Sequence, residues 1–290
     1  KEYCPLCPVA EFGKDPNGVT VKTDVPISTA TYEWAVFENM FPGVAMEEKT
    51  GFAEVILYSP DHQATLTGST ISHIAGLIRV WQDRSKTAGA KPGIEQVFIF
   101  ENKGKEVGVT LHHPHGQLYA FQHIPPFINQ ELKVAKEFFD QNHVCLLCDS
   151  IREEISGGKR IVFENNSMVA WIPEAARYPY EVHISSKEHR ALIEDLNESE
   201  VKDLAEALKA VLIKYDKLLN IPFPYLMVHH QAPHSLPGCL HYHWHIEFYP
   251  PFRMKDKLKY LAGVESGTGL FINDTIPEEK ALELRNLDWK

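Results

Sequence analysis

Two arrays of the same reactive residues, in the same order, run through this chain. The first is Cys4-x-x-Cys7, His62 and His113-x-His115-x-Gln117; the second is Cys145-x-x-Cys148, His189 and His243-x-His245-x-Glu247. A VFEN tetrapeptide follows each cysteine pair, starting at Val36 and Val162, and an apolar run precedes each triplet, QVFIF (96–100) and YLMVH (225–229). Val36 to His62 and Val162 to His189 span 26 and 27 positions, and His62 to His113 and His189 to His243 span 51 and 54. Self-similarity of this kind takes precedence over local propensity in deciding a fold.

The repeat divides the chain into an N-terminal unit, 1–130, and a C-terminal unit, 131–290. The stretch PPFINQELKVAKEFFDQN near the boundary reads as a linking helix, and EFGKDPNGV reads as part of a loop inserted in the first copy. A helix is predicted over 198–219. Asn197 caps it and Glu200 closes a capping box, and Val201, Leu204, Leu208, Val211 and Tyr215 form one apolar stripe. Ile71, Ile74, Leu77, Ile78 and Trp81 predict its counterpart near 69–83. VFEN, EVILYS, QVFIF, YEVHIS and HWHIEF read as strands. The fold class is therefore α+β, two tandem duplicated units of antiparallel sheet with flanking helices.

Composition narrows the function. Of 290 residues 44% are apolar and 23% charged, as in ordinary globular proteins, with no apolar run of membrane-spanning length. A net charge of −10 opposes general nucleic-acid binding, which needs a basic surface to displace counterions. The first residues show no hydrophobic signal core, so the expectation is a cytoplasmic protein without membrane partners. In that compartment two C-x-x-C pairs point to metal or redox work instead of disulfides.

Zinc takes four thiolate and imidazole ligands in a tetrahedron. The repeat brings Cys4, Cys7, His62 and His113 into register with Cys145, Cys148, His189 and His243, and predicts two zinc sites, both saturated by protein and hence structural. If each triplet is a strand, His113 and His115 share a face, one holding metal and one facing substrate. Around the second site the histidines of 241–245 offer other ligands, and Glu131 and His230 could build a different metal site with His245 and Glu247. Gln117 is neutral and can donate to a phosphate oxygen, whereas Glu247 would repel one. That difference favours His115 over His245 as the reacting group.

The stretches FENKGKEVGVTLHHPHGQ (100–117), SPDH, YPYEVHISSKEH, FPYLMVHHQAP and FYPP together resemble the galactose-1-phosphate uridylyltransferase family of the histidine-triad superfamily. ESGTGLFINDTIPEE is similar to the branch that includes ADP-glucose phosphorylase, which also has two cysteine-type zinc sites. The resemblance implies tandem histidine-triad-like units and a homodimer acting on a nucleotide sugar and a sugar 1-phosphate. The implied reaction moves UMP from UDP-glucose to galactose 1-phosphate through a uridylyl group on His115, assisted by Gln117. It also implies that Asn102 and Thr110 contact phosphate, that Phe37 and Asn39 bind the nucleoside, and that Lys259 and Glu265 reach the hexose phosphate of the neighbouring subunit. Family members carry arginines near the phosphates, upstream of the first cysteine pair; here Lys103, Lys105 and Lys259 are the candidates for that role. The alternatives are an ADP-glucose phosphorylase or adenylyltransferase using the same histidine, and a non-catalytic, zinc-stabilised nucleotide-binding protein.

Overall fold

One continuous antiparallel sheet carries both arrays. The structure is a computed structural model, and it describes Cys4, Leu6, Cys7, residues 32–39, Gly43, Val44 and residues 51–290. The expected insertion EFGKDPNGV lies outside the described residues. The N-terminal strands are β1 (Ala35–Glu38), β2 (Gly51–Leu57), β3 (Gln96–Lys103) and β4 (His115–Phe121). The C-terminal strands are β5 (Ile161–Glu164), β6 (Met168–Trp171), β7 (Val182–Ser186), β8 (Tyr225–His230) and β9 (His245–Tyr249). Their order is β1-β2-β4-β3-β8-β9-β7-β6-β5, so β3 and β8 form the seam, with Phe100 opposite Val228.

The two predicted helices are α1 (Ile71–Gly89) and α4 (Glu198–Leu219), separated in sequence by α2 (Pro126–Asn142) and α3 (Leu146–Gly157). The predicted cap forms. Asn197 Oδ1 accepts from the N–H groups of Ser199 and Glu200, and Glu200 returns a carboxylate to the Asn197 N–H at 2.8 Å. The stripes of α1 and α4 bury Ile74, Leu77, Trp81, Leu204, Leu208 and Tyr215 on one face of the sheet. Each such side chain contributes about 1.5–3 kcal/mol of transfer free energy. The opposite face carries Phe98, Phe100, Tyr119 and Phe121 in a row of ring contacts. On that side α2 packs through Ile128, Leu132 and Ala135.

Strand pairing corrects one part of the sequence reading. β2 lies beside β4, with Val55 opposite Gln117, and β7 lies beside β9, with His183 opposite Glu247. One strand further out, Phe37 of β1 is opposite Val55 and Trp171 of β6 is opposite His183. Phe37 therefore corresponds in place to Trp171. The second VFEN forms β5, an additional edge strand beyond β6. The two tetrapeptides share a propensity for strand, but partners decide which strand of the sheet each becomes.

The chain closes with a small hairpin, β10 (Phe252–Met254) and β11 (Lys257–Leu258), then α5 (Gly263–Thr268) and α6 (Pro277–Arg285). Met254, Tyr260, Leu261, Leu270, Ile272 and Ile276 are exposed along this segment. Among the described residues no helix is long and apolar enough to cross a membrane.

Candidate active site and metal centres

Cys4, Cys7, His62 and His113 converge, each offering one ligand atom, with these atoms within 4.8 Å of one another; Cys145, Cys148, His189 and His243 do the same. His62 and His113 present Nδ1 to Cys7 Sγ at 3.3 and 3.6 Å. His189 and His243 present Nδ1 to Cys148 Sγ at 3.4 and 3.3 Å. The far side of each ring is tied where partners are seen. His113 Nε2 meets Ser59 O at 2.8 Å, His189 Nε2 meets Cys239 O at 3.1 Å, and His243 Nε2 meets Ser186 Oγ at 3.0 Å. Donation from Nε2–H leaves each Nδ1 lone pair aimed at the centre, the arrangement a metal-ligating histidine needs. Two sulfurs and two imidazoles at this spacing fit a tetrahedral ion of borderline softness.

Cys145 is the N-cap residue of α3, and Cys148 lies in its first turn, so the second pair sits on a helix start. The triplets differ from the expectation. β4 begins at His115 and β9 at His245, so His113 and His243 precede the strands. Strand alternation therefore does not set His113 beside His115. A bend does, because His115 Nδ1 donates to the His113 carbonyl at 2.7 Å and His245 Nδ1 to the His243 carbonyl at 3.0 Å.

That hydrogen bond fixes the proton of neutral His115 on Nδ1 and leaves Nε2 as an outward lone pair. Burial lowers the His115 pKa below the ordinary imidazole value, which keeps the ring neutral at pH 7. Gln117 follows on the same face of β4. Asn39 Nδ2 donates to Gln117 Oε1 at 3.1 Å, which turns the Gln117 NH₂ outward as a donor. Phe37 lies on β1, and Asn39 directly follows that strand. Asn102, Lys103, His112 and His115 line one cleft. Thr110 is exposed and is not among the residues lining it. Lys103 pairs with Asp216 at 3.4 Å. Lys259 turns inward and pairs with Glu265 at 3.1 Å, with its side chain only 2% exposed, so within one chain the two satisfy each other.

The second triplet has different surroundings. His245 Nε2 lies 3.3 Å from Glu247 Oε1, and His183 Nε2 lies 3.3 Å from the same oxygen. Arg177 Nη2 meets Glu247 Oε2 at 2.5 Å, and Tyr249 donates to that oxygen as well. Burial pushes the Glu247 carboxyl up, but His183, His230 and His245 together hold it well below the usual carboxylate range. Glu131 accepts from His230 Nδ1 at 2.9 Å and from Tyr242. Glu131, His230, His245 and Glu247 form a third group with metal-ligand spacing, and Glu181, His183 and Glu247 a fourth. The nitrogen and oxygen donors of these groups suit a harder ion than the cysteine sites do. Of the alternative ligands near 241–245, His241 instead contacts Cys239 at 3.5 Å. Sequence reasoning missed His183, Arg177 and Tyr58, since none lies in a recognisable spacing; His183 reaches Glu247 by strand pairing, Arg177 reaches it from the loop before β7, and Tyr58, just past β2, lines the cleft of His115.

The domain described as galactose-1-phosphate uridyl transferase, N-terminal domain, matches residues 29–125, and the corresponding C-terminal domain matches residues 131–290. A galactose-1-phosphate uridylyltransferase of Thermotoga maritima is 37% identical, over 92% of this chain and 90% of its own length. A solved uridylyltransferase superposes with a TM-score of 0.85 at 33% identity, covering 98% of this chain and 91% of that one. An ADP-glucose phosphorylase from Arabidopsis thaliana, solved with bound ADP-glucose, superposes with a TM-score of 0.83 at 26% identity, covering 99% of this chain and 90% of that one.

Proposed function

The chain belongs to the galactose-1-phosphate uridylyltransferase family of transferases, and from that premise we propose that it moves UMP from UDP-glucose to galactose 1-phosphate on His115. The observation that carries this reading is the outward Nε2 of His115, with Nδ1–H held by the His113 carbonyl and with the Gln117 amide turned outward by Asn39. Nε2 forms a bond to the α-phosphorus as the bond from that phosphorus to the bridging oxygen breaks. Glucose 1-phosphate leaves with the electron pair. The ring becomes cationic, and the charge-assisted hydrogen bond from Nδ1–H to the carbonyl strengthens. A phosphate oxygen of galactose 1-phosphate then attacks the same phosphorus, and the P–N electrons return to Nε2. Gln117 and Asn102 donate to the phosphate oxygens as charge develops there.

The remaining assignments belong to this reading. Phe37 and Asn39 hold the nucleoside, and Thr110 contacts phosphate from the exposed rim. Units 1–130 and 131–290 are the two halves of the catalytic chain. Zinc occupies the two Cys₂His₂ groups, where it ties the triplets to the cysteine pairs and takes no part in the transfer. The protein works in the cytoplasm as a homodimer that buries the apolar segment 254–276, with Lys259 and Glu265 serving the neighbouring subunit's sugar phosphate.

A second reading, ADP-glucose phosphorylase chemistry on the same histidine, draws support from the second cysteine-type group. A coupled assay separates the two. Formation of UDP-galactose from UDP-glucose and galactose 1-phosphate supports the first. Phosphate-dependent consumption of ADP-glucose with no uridylyl transfer replaces it with the second. No turnover of either pair by zinc-loaded protein contradicts both.

A further inference from the structure

Tyr58 supports the reactive segment from beneath. Its N–H donates to the Pro114 carbonyl at 3.1 Å, between the two histidines of the first triplet. Its own carbonyl meets His73 Nε2 at 2.8 Å, which anchors it to α1. The hydroxyl presses against β4 at Gly116, where an added Cβ would lie 2.2 Å from Tyr58 Oη. Gly116 stands between His115 and Gln117, so the Tyr58 ring sets how far that backbone rises from the core.

Glu101 faces the same place. On β3 it alternates with Val97 and Ile99 toward the core, and it is 5% exposed. Glu101 Oε1 accepts from Tyr225 Oη of β8 at 3.2 Å. Glu101 Oε2 and Tyr58 Oη are both buried and meet no partner at full hydrogen-bond geometry, yet each shifts the other's ionisation. Tyr58 and Glu101 line the cleft with Asn102, Pro114 and His115. The charged groups nearby are Lys103 and its partner Asp216. Burial pushes the Glu101 carboxyl up to about 7 against the pull of Lys103 and the two phenols. A carboxyl in an apolar core is costly, and packing alone would be met by a leucine.

We infer that Glu101 is a positioning residue for nucleotidyl transfer, acting through Tyr58 on the backbone between His115 and Gln117 and thereby on the aim of His115 Nε2. The inference rests on the transfer reading above. Glu101 Oε2 and Tyr58 Oη act on each other without reaching full hydrogen-bond geometry. Such contacts are often long before substrate binds.

Rapid-quench mass spectrometry of covalent adduct formation from UDP-glucose tests this, with Glu101→Leu, Glu101→Gln, Tyr58→Phe and Tyr225→Phe beside wild type. Zinc content and Tm are measured on each. A small misplacement of a reacting group costs about ten- to a hundredfold in rate. Glu101→Leu and Tyr58→Phe are expected to slow adduct formation by about that factor, with the half-saturating UDP-glucose concentration within about twofold of wild type. Glu101→Gln, which keeps an amide for Tyr58, recovers most of the rate, and Tyr225→Phe loses little. Wild-type rates in both Glu101→Leu and Tyr58→Phe overturn the inference. So does a rate loss in all four variants that tracks zinc content and Tm, because it marks a purely structural seam. If Glu101→Leu does not fold, Tyr58→Phe decides alone. No adduct in wild type contradicts the transfer reading itself.

Discussion

Gln117 and Glu247 occupy corresponding places in the sheet, one opposite Val55 and the other opposite His183. The histidine before each is bent back onto a carbonyl in the same way. The two triplets therefore differ in their last side chain, an amide held by Asn39 in one and a buried carboxylate 3.3 Å from the free ring nitrogen in the other.

Exchanging that feature tests its weight. On the proposed transfer reading, Gln117→Glu places a carboxylate where charge develops on phosphate. Loss of one such donor costs roughly 10²–10³ in turnover. The expected result is a loss of at least that size in kcat with little change in Tm, read by steady-state kinetics and thermal denaturation.

The sequence made much of this legible. The cysteine and histidine spacings predicted both Cys₂His₂ groups that the structure assembles, and the Asn197–Glu200 box predicted the start of α4. What stayed hidden depends on tertiary pairing. Identical VFEN tetrapeptides become strands at different depths of the sheet. His183 lies in an unremarkable strand and reaches Glu247 only because β7 pairs with β9. Tyr58 follows the last residue of β2, and only the clash at Gly116 reveals that it lies beneath the triplet.

The cysteine groups give separable losses. Cys148→Ser is expected to lower bound zinc by one per chain and to lower Tm, with His115 still reactive. Cys7→Ser is expected to lose one zinc and also reactivity, because on the proposed reading His113 is a ligand, and its carbonyl orients His115. Metal analysis beside adduct formation checks both.

The buried charges of the second half hold one another. Removing one partner of a buried pair leaves an uncompensated charge and costs about 3–5 kcal/mol. Arg177→Met strips Glu247 of its guanidinium, and a stability loss toward the lower end of that range is expected in urea denaturation, since Arg177 is partly exposed. Replacing Arg177 and Glu247 together, as Arg177→Met with Glu247→Gln, recovers part of the loss.

Glu101 adds a pH dependence of stability with a definite sign. Its pKa is about 7 in the fold and near 4.5 in the unfolded chain, so between those values the folded state holds more protons. Its contribution is fully present below pH 4.5 and is lost as pH rises through 7. Denaturant midpoints measured across that window are expected to fall less steeply with pH in Glu101→Gln than in wild type.

The central claim is that His115 carries the nucleotide. Intact-protein mass spectrometry followed by peptide mapping, after brief exposure of zinc-loaded wild type and His115→Gln to UDP-glucose, tests it directly. The account predicts one added UMP in wild type, mapped to the peptide containing His115, and none in the variant. An adduct that persists in His115→Gln, or maps to His245, would contradict it.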